Sequence, residues 1–497
     1  MYARAVLAPR ALRSRSTLQR LAPAVLVAVL ASPETARAAG LEVPGNGAAA
    51  VGRGTAFVAA ADDGTAIAYN PGALTRLRGT TVTYSHQVFW ENSAFTRAPT
   101  AIGQPTVDGA GNYDANAKQS NSTAAFVAGG FLAATTDFGL DRWRFAAGLY
   151  GPSASGHKTF AVMGGQRYML TELDSLLVYP SLAVAYGDAD KWGVGVTLQA
   201  GVMPKTNMSL VVDASTGSSG KYPLSPYYAV NDVVATIKLK DMTPRPSAIV
   251  GAWYRVTPNV DVAASGRVMP MTFHTKGDVS MGNDDPRVGS QFTPDQLSVS
   301  NSSAKMDMSF APTATLAARY RGLDAEGREK WDVEVDAVWE GWHIMKDYDV
   351  QMAGKINLFG GDQQMPSVAL PKRWRDTFSV RAGGTAHLTD AWSLSAGGYW
   401  EQGATPTAYS NLDFPSFDRI GVAGGARFKS GRFSAALSYA HVFQQTREVS
   451  EEQGKVFQVR ALAQCPDGCK GYSGVPANAG KFESSYDLLT ASGSIAF

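Results

Sequence analysis

Apolar and polar residues alternate with a period of two along most of the chain. From Leu489 to Phe497 the apolar positions are Leu489, Ala491, Gly493, Ile495 and Phe497, and Thr490, Ser492, Ser494 and Ala496 lie between them. One face of such a strand suits lipid and the other a polar lumen, the pattern of a transmembrane β-barrel strand. Trp192, Val194, Val196, Leu198 and Ala200 alternate in the same way with Gly193, Gly195, Thr197 and Gln199. Trp331, Val333, Val335, Ala337 and Trp339 alternate with Asp332, Glu334, Asp336 and Glu340. Similar runs start at Val260, Phe378, Trp392 and Phe433. They fit a tilted membrane crossing of about ten residues better than the short strands of soluble sheets.

Short turns such as 187–190, 257–259, 389–390 and 429–431 join some runs. Long polar segments near 98–120, 206–230, 277–302, 353–371 and 448–482 join others. Short turns on one side and long loops on the other is the outer-membrane arrangement. The spacing predicts 14 strands, near 79–97, 121–137, 142–152, 168–186, 190–205, 232–256, 259–276, 303–320, 330–352, 373–388, 391–406, 416–429, 431–447 and 483–497. The expected fold is therefore all-β: an antiparallel, even-stranded barrel over 79–497.

The first 38 residues read as a secretory signal. Five arginines up to Arg20 precede an apolar run, Leu21 to Ala31, and Ala36-Arg37-Ala38 supplies a small-x-small cleavage pattern. The run is too short for a membrane helix. Without the leader's six Arg and one Glu, 39 basic residues face 42 acidic ones. That balance gives no basic excess for nucleic acid. Apolar residues make up 45% of the chain, with no later run near 18, which fits a barrel and not a helical membrane protein. The 29 Trp and Tyr suit interfacial girdles. Residues 39–78 are small, Gly- and Ala-rich and lack alternation, so they read as a compact segment that must pack inside something larger. The two cysteines, Cys465 and Cys469, read as a loop disulfide in an exported protein. No histidine lies near them, so neither a metal site nor a cofactor is expected.

Several short motifs carry a family resemblance. They are Ala39-Gly40-Leu41, Asp62-Asp63-Gly64, Asn70-Pro71, Tyr179-Pro180-Ser181-Leu182, Trp339-Glu340-Gly341-Trp342, Trp374-Arg375-Asp376-Thr377 and Pro415-Ser416-Phe417-Asp418-Arg419. In this order, with a terminal aromatic, the chain resembles the FadL/TodX-type outer-membrane transporters of long-chain fatty acids and other hydrophobic compounds. The resemblance implies a 14-stranded barrel plugged by an N-terminal hatch, here 39–78. It implies passive uptake of long-chain fatty acids, or alternatively of aromatic hydrocarbons. It also implies residence among outer-membrane lipid and lipopolysaccharide, insertion by the barrel assembly machinery through Phe497, and a monomer. The family's lateral exit lies at a kinked third strand, which corresponds to Leu149-Tyr150-Gly151-Pro152. Gly151 and Pro152 weaken strand pairing in any case, and the alternative is that Pro152 only ends the strand. Asn70-Pro71 matches a hatch motif that the family continues with Ala, where this chain has Gly72.

A fatty acid carboxylate needs a cation in an apolar pocket. Lys205 and Lys346 lie near the family's basic positions without matching them, and each also reads as a rim charge. Asp332, Glu334, Asp336 and Glu340, with Arg267, Arg381 and Arg427 on other strands, read as an ion-pair network filling a polar interior. The rival class is a barrel lipid hydrolase. Its support is thin, because the six histidines are scattered and no Gly-x-Ser-x-Gly turn occurs.

Overall fold

A computed structural model describes residues 45–98, 119–125, 130–151, 157–162, 164–213, 232–282, 297–358, 361–365, 367–459 and 476–497. Fourteen strands run antiparallel. They are β1 (Thr81–Arg97), β2 (Gln119–Ala125 and Phe131–Thr136), β3 (Trp143–Tyr150 and His157–Thr159), β4 (Glu172–Asp188), β5 (Trp192–Asp213), β6 (Asp232–Thr257) and β7 (Val260–Arg267 and Met271–Gly282). Then follow β8 (Leu297–Phe310 and Thr313–Leu323), β9 (Glu329–Glu340), β10 (Thr377–His387), β11 (Trp392–Glu401), β12 (Arg419–Ser430), β13 (Phe433–Gln444 and Arg447–Val449) and β14 (Gly480–Ala496). β14 pairs β1 from Thr81↔Ala496 to Arg97↔Gly480, which closes the ring and leaves no edge.

The expected faces hold. Leu198, Val262, Val333, Phe378, Leu394 and Leu437 point outward and are exposed, while their neighbours in sequence face the lumen. Trp143, Trp192, Tyr254, Trp331, Trp392 and Phe433 ring the outer surface near the short turns, as an interfacial girdle should. β5 and β6, at 22 and 26 residues, exceed a membrane crossing and extend the barrel at the long-loop end. The expected ninth strand differs in one respect. It leaves the ladder after Glu340, where Gly341 N–H bonds Pro312 O and a 3-10 turn follows at Trp342–Ile344. Pro312 interrupts β8 at the same level. A separate hairpin, Gln351–Leu358 with Gly361–Gln364, then continues the wall beside β8.

Inside the ring, residues 45–77 form short helical turns at Ala48–Val51, Ala66–Tyr69 and Pro71–Arg76. The segment's small side chains are almost all buried. It reaches walls on opposite sides of the barrel: a Cβ on Gly52 would meet Gly425 of β12, and one on Gly72 would meet Gly251 of β6.

Candidate functional site

The lumen segment is pinned to the wall by buried polar groups. Asn70 is fully buried. Its Nδ2 donates to Val58 O (2.9 Å) and Ala252 O (3.2 Å), and its Oδ1 accepts from Gly72 N–H (3.0 Å). Pro71 lies against Gly195, where a Cβ would stand 2.6 Å from the Pro71 carbonyl. Gly72 approaches β5 and β6 so closely that a Cβ would be 2.8 Å from Gly193 O and 2.7 Å from Gly251 O. That contact accounts for glycine where the family motif continues with alanine.

Across the lumen, Arg53 donates to Asp332 (2.6 Å) and to Glu334 (3.2 Å), and Glu334 also accepts from Ala59 N–H (2.6 Å). Arg76 reaches Asp261 (3.1 Å) and stacks 3.8 Å from the Trp253 ring. Arg427 clasps Asp62 (2.7 Å). Asp62 is half-exposed; its crowded surroundings act to raise the carboxyl, but the charge and hydrogen bonds of Arg427, with Arg319 and Arg53 beyond, hold it down at about 2. Asp63 moves the other way, raised by burial and by the Asp62 charge. On β9, Asp332 and Glu334 are thus ion-paired and Asp336 accepts from the Phe57 N–H (3.2 Å), so the lumen segment supplies partners that strand patterning could not indicate.

The first segment of β3 ends at Tyr150, and Gly151 follows it outside the strand. The ladder of β3 with β4 stops at Tyr150↔Tyr179 and resumes at His157↔Asp174. Seven residues on β3 therefore span five on β4, a surplus of two. β2 carries the same surplus against β1, between Ser85↔Phe131 and Phe89↔Ala125. Gly151 is buried and outside the ladder, and Pro152 falls outside the described residues. Beside the break is a cavity of about 160 Å³ lined by Gly45, Asn46, Tyr69, Tyr150, Tyr179 and Arg267, among others. The lumen-segment residues on that side are Ile67, against Gly148, and Tyr69, whereas Asn70-Pro71 sit on β5 and β6.

Above the lumen segment the interior turns apolar. Met203, Met208, Met271, Met306, Met308, Met345 and Phe273 are buried in one continuous cluster with Tyr179 and Trp342. Two sequence motifs meet in its roof: Trp342 packs edge-on to Trp374 at 5.3 Å, and His343 N–H bonds Asp376. Methionine's flexible thioether lets such a cluster repack around apolar groups of varied shape.

Lys205 is half-exposed and bonded to Asp174 at 2.5 Å. The Lys346 side chain is exposed. Neither is a buried cation. The sequence reading missed Arg97, at the inner upper end of β1 and 2% exposed. Its Nη1 donates to Gly165 O (3.2 Å) and its guanidinium lies 5.5 Å from the Tyr168 ring. Among the described residues no partner meets its Nε or Nη2. Extending the inward parity of β1 from Phe89 through Phe95 would have singled it out.

Other chemistry is sparse. His387 Nδ1 lies 2.9 Å from Ser393 Oγ, and its Nε2 is 3.8 Å from Glu329. Glu329 is held by Arg319 and Arg321. His441 points outward and bonds Asp487. His157, Glu172 and Asp174 bring ligand-type atoms within 4.8 Å, but the Lys205 ammonium already occupies Asp174. Cys465 and Cys469 lie outside the described residues.

The geometry agrees with known proteins. The sequence model described as outer membrane protein transport protein (OMPP1/FadL/TodX) matches residues 27–469. No curated protein matches the chain. A FadL homologue from Pseudomonas aeruginosa has the same fold, with TM-score 0.69 and 16% identity over 92% of this chain and 100% of that one. The toluene transporters TodX of P. putida (TM-score 0.58, 14% identity) and TbuX of Ralstonia pickettii (0.57, 14%) each cover 92% of this chain and 99% of their own. With the closed 14-stranded barrel, the family match makes this chain an outer-membrane β-barrel transport protein for hydrophobic substrates, a member of the OMPP1/FadL/TodX family.

Proposed function

We propose that the chain carries long-chain fatty acids passively across the outer membrane, and that it is not an enzyme. The ligand enters the methionine-lined chamber at the long-loop end, is held above a hatch formed by residues 39–78, and leaves sideways through the break in β3 at Gly151-Pro152. An apolar chain gains nothing by entering the aqueous periplasm, since each methylene kept out of water is worth about 0.8 kcal/mol. Exit into the bilayer needs a gap in the wall, and unpaired backbone in lipid costs several kcal/mol per group. The two-residue surplus in β2 and β3, with Ile67 against Gly148 and Tyr69 beside Tyr150, supports that route.

The observation that carries the fatty acid reading is Arg97. A guanidinium buried beside Tyr168, with two N–H-bearing atoms unmatched, suits a carboxylate and gives nothing to toluene. The test compares oleate, the matching fatty alcohol and toluene on purified wild type and Arg97→Leu. Loss of a charged hydrogen bond of about 1.5–3 kcal/mol should weaken oleate by tenfold or more and leave the alcohol unchanged. Equal binding of oleate by both proteins, with toluene bound tightly, would turn the reading to aromatic hydrocarbons. Free passage of small sugars through liposomes would refute a plugged barrel, and ester hydrolysis abolished by His387→Ala would favour the enzyme.

A further inference from the structure

Three lysines stand in one row on the outside of the barrel. Lys276 of β7 is directly opposite Lys240 of β6 on one side and Lys305 of β8 on the other. All three are exposed and point away from the lumen. Directly opposed residues on one face have Cβ atoms about 5 Å apart, and like charges so placed repel. The nearby carboxylates bond to other groups. Asp241 is bound to Arg245 (2.7 Å), Asp307 to His274 (2.8 Å) and Asp347 to Arg373 (3.2 Å). Asp278, one pleat higher, is opposite Lys238. Asp349 alone remains unpaired among the described carboxylates lining the groove of about 810 Å³ that contains the row. Among the described residues no carboxylate lies within ion-pair distance of any of the three ammonium groups, and like charges held this close lower stability unless an anion lies on them.

The height of the row says which anion. Tyr254 of β6 and Tyr320 of β8 mark the interface at the short-turn end. Lys240 and Lys305 lie about 14–15 residues above them, and strands rising about 3.3 Å per residue at about 40° of tilt lift the row roughly 35 Å. The apolar band of such barrels is about 25 Å tall, so the ammonium groups stand just above the hydrocarbon of the outer leaflet. Below them on the same face are exposed apolar side chains, Met242, Met269, Val250, Val268 and Leu316. We infer that this face binds a phosphorylated glycolipid of the outer leaflet, with headgroup phosphates on Lys240, Lys276 and Lys305 and acyl chains along the apolar band beneath. The site is on the outer wall and is separate from the transported ligand's chamber.

The test uses the full-length protein in detergent and native mass spectrometry. The probes are a diphosphorylated lipid A, the same lipid with its phosphates removed, and inorganic phosphate. Wild type should retain the diphosphorylated lipid. The triple variant Lys240→Gln, Lys276→Gln, Lys305→Gln should retain it at least tenfold less, while oleate binding and heat-modifiability stay unchanged. A triple Lys→Arg variant should keep the lipid, which separates charge from a folding defect. Equal retention by wild type and the Gln variant, or of the lipid with and without phosphates, would overturn the inference. So would inorganic phosphate bound at the row in preference to the lipid.

Discussion

Arg53 Nη1 meets Asp332 Oδ1 at 2.6 Å although the two are 279 positions apart in the chain. Both side chains are almost wholly buried, so neither charge has water to fall back on. Removing one partner of a buried pair costs about 3–5 kcal/mol, because the other charge is left uncompensated. Arg53→Met should therefore loosen the lumen segment and admit ions through a barrel that still resists heat and detergent. Arg53→Met with Asp332→Leu should restore much of the seal. Planar-bilayer conductance of the two variants decides it, and a single variant as tight as wild type would refute the anchoring role.

The fit of Asn70-Pro71 to the wall rests on the absence of a side chain at Gly251. A methyl there would overlap Asn70 Oδ1 and stand 2.8 Å from Pro71 Cδ. Gly251→Val should expose the 45–77 segment to added protease, with β6 still in the barrel. Unchanged resistance would mean the segment has other room to move.

Deleting Pro152 and Ser153 should remove the two-residue surplus of β3 and let its ladder with β4 run unbroken. We expect uptake of labelled oleate by cells to fall to background while purified protein binds oleate as before. Uptake at the wild-type rate would show that the ligand leaves by another path.

Acid should release the lumen segment in a defined window. The Asp62 carboxyl is held at about 2, below its ordinary value of 3.8, so its contribution to docking is complete above pH 4 and fades as the pH falls toward 2. Asp63, raised by burial and by Asp62, takes up its proton first and adds no such dependence below pH 4. Hydrogen exchange of residues 45–77 should stay slow at pH 5 and quicken between pH 4 and 2. Asp62→Asn should exchange faster at pH 7 and show a flatter profile. An identical profile in the variant would count against the Asp62–Arg427 clasp.

Phe497 is exposed on the outer wall, and its N–H bonds Thr80 O just before β1. Phe497→Ala should lower the amount of heat-modifiable barrel in the outer membrane. Wild-type amounts on gels of outer-membrane fractions would remove the terminal aromatic from the assembly account.

A strand with one wet and one oily face writes its orientation into every second residue, so local sequence alone determined the barrel, its 14 strands and which side chains meet lipid. Trp331, Phe378 and Leu437 faced outward as their alternation required. Gly151 lies outside the ladder, and a glycine weakens pairing wherever it occurs. The tertiary structure decided the partners. Glu334 is one more lumen carboxylate in the sequence and becomes an anchor only because ring closure sets Arg53 and the Ala59 N–H against it. Glycines at 193, 195 and 251 read as weak strand positions until the Asn70 turn fills the space they leave. Arg97 gained its meaning from a loop some 70 residues away, and the lysine row from the register of three strands. Pairing across a closed sheet depends on register summed around the ring. No short stretch of chain contains that information.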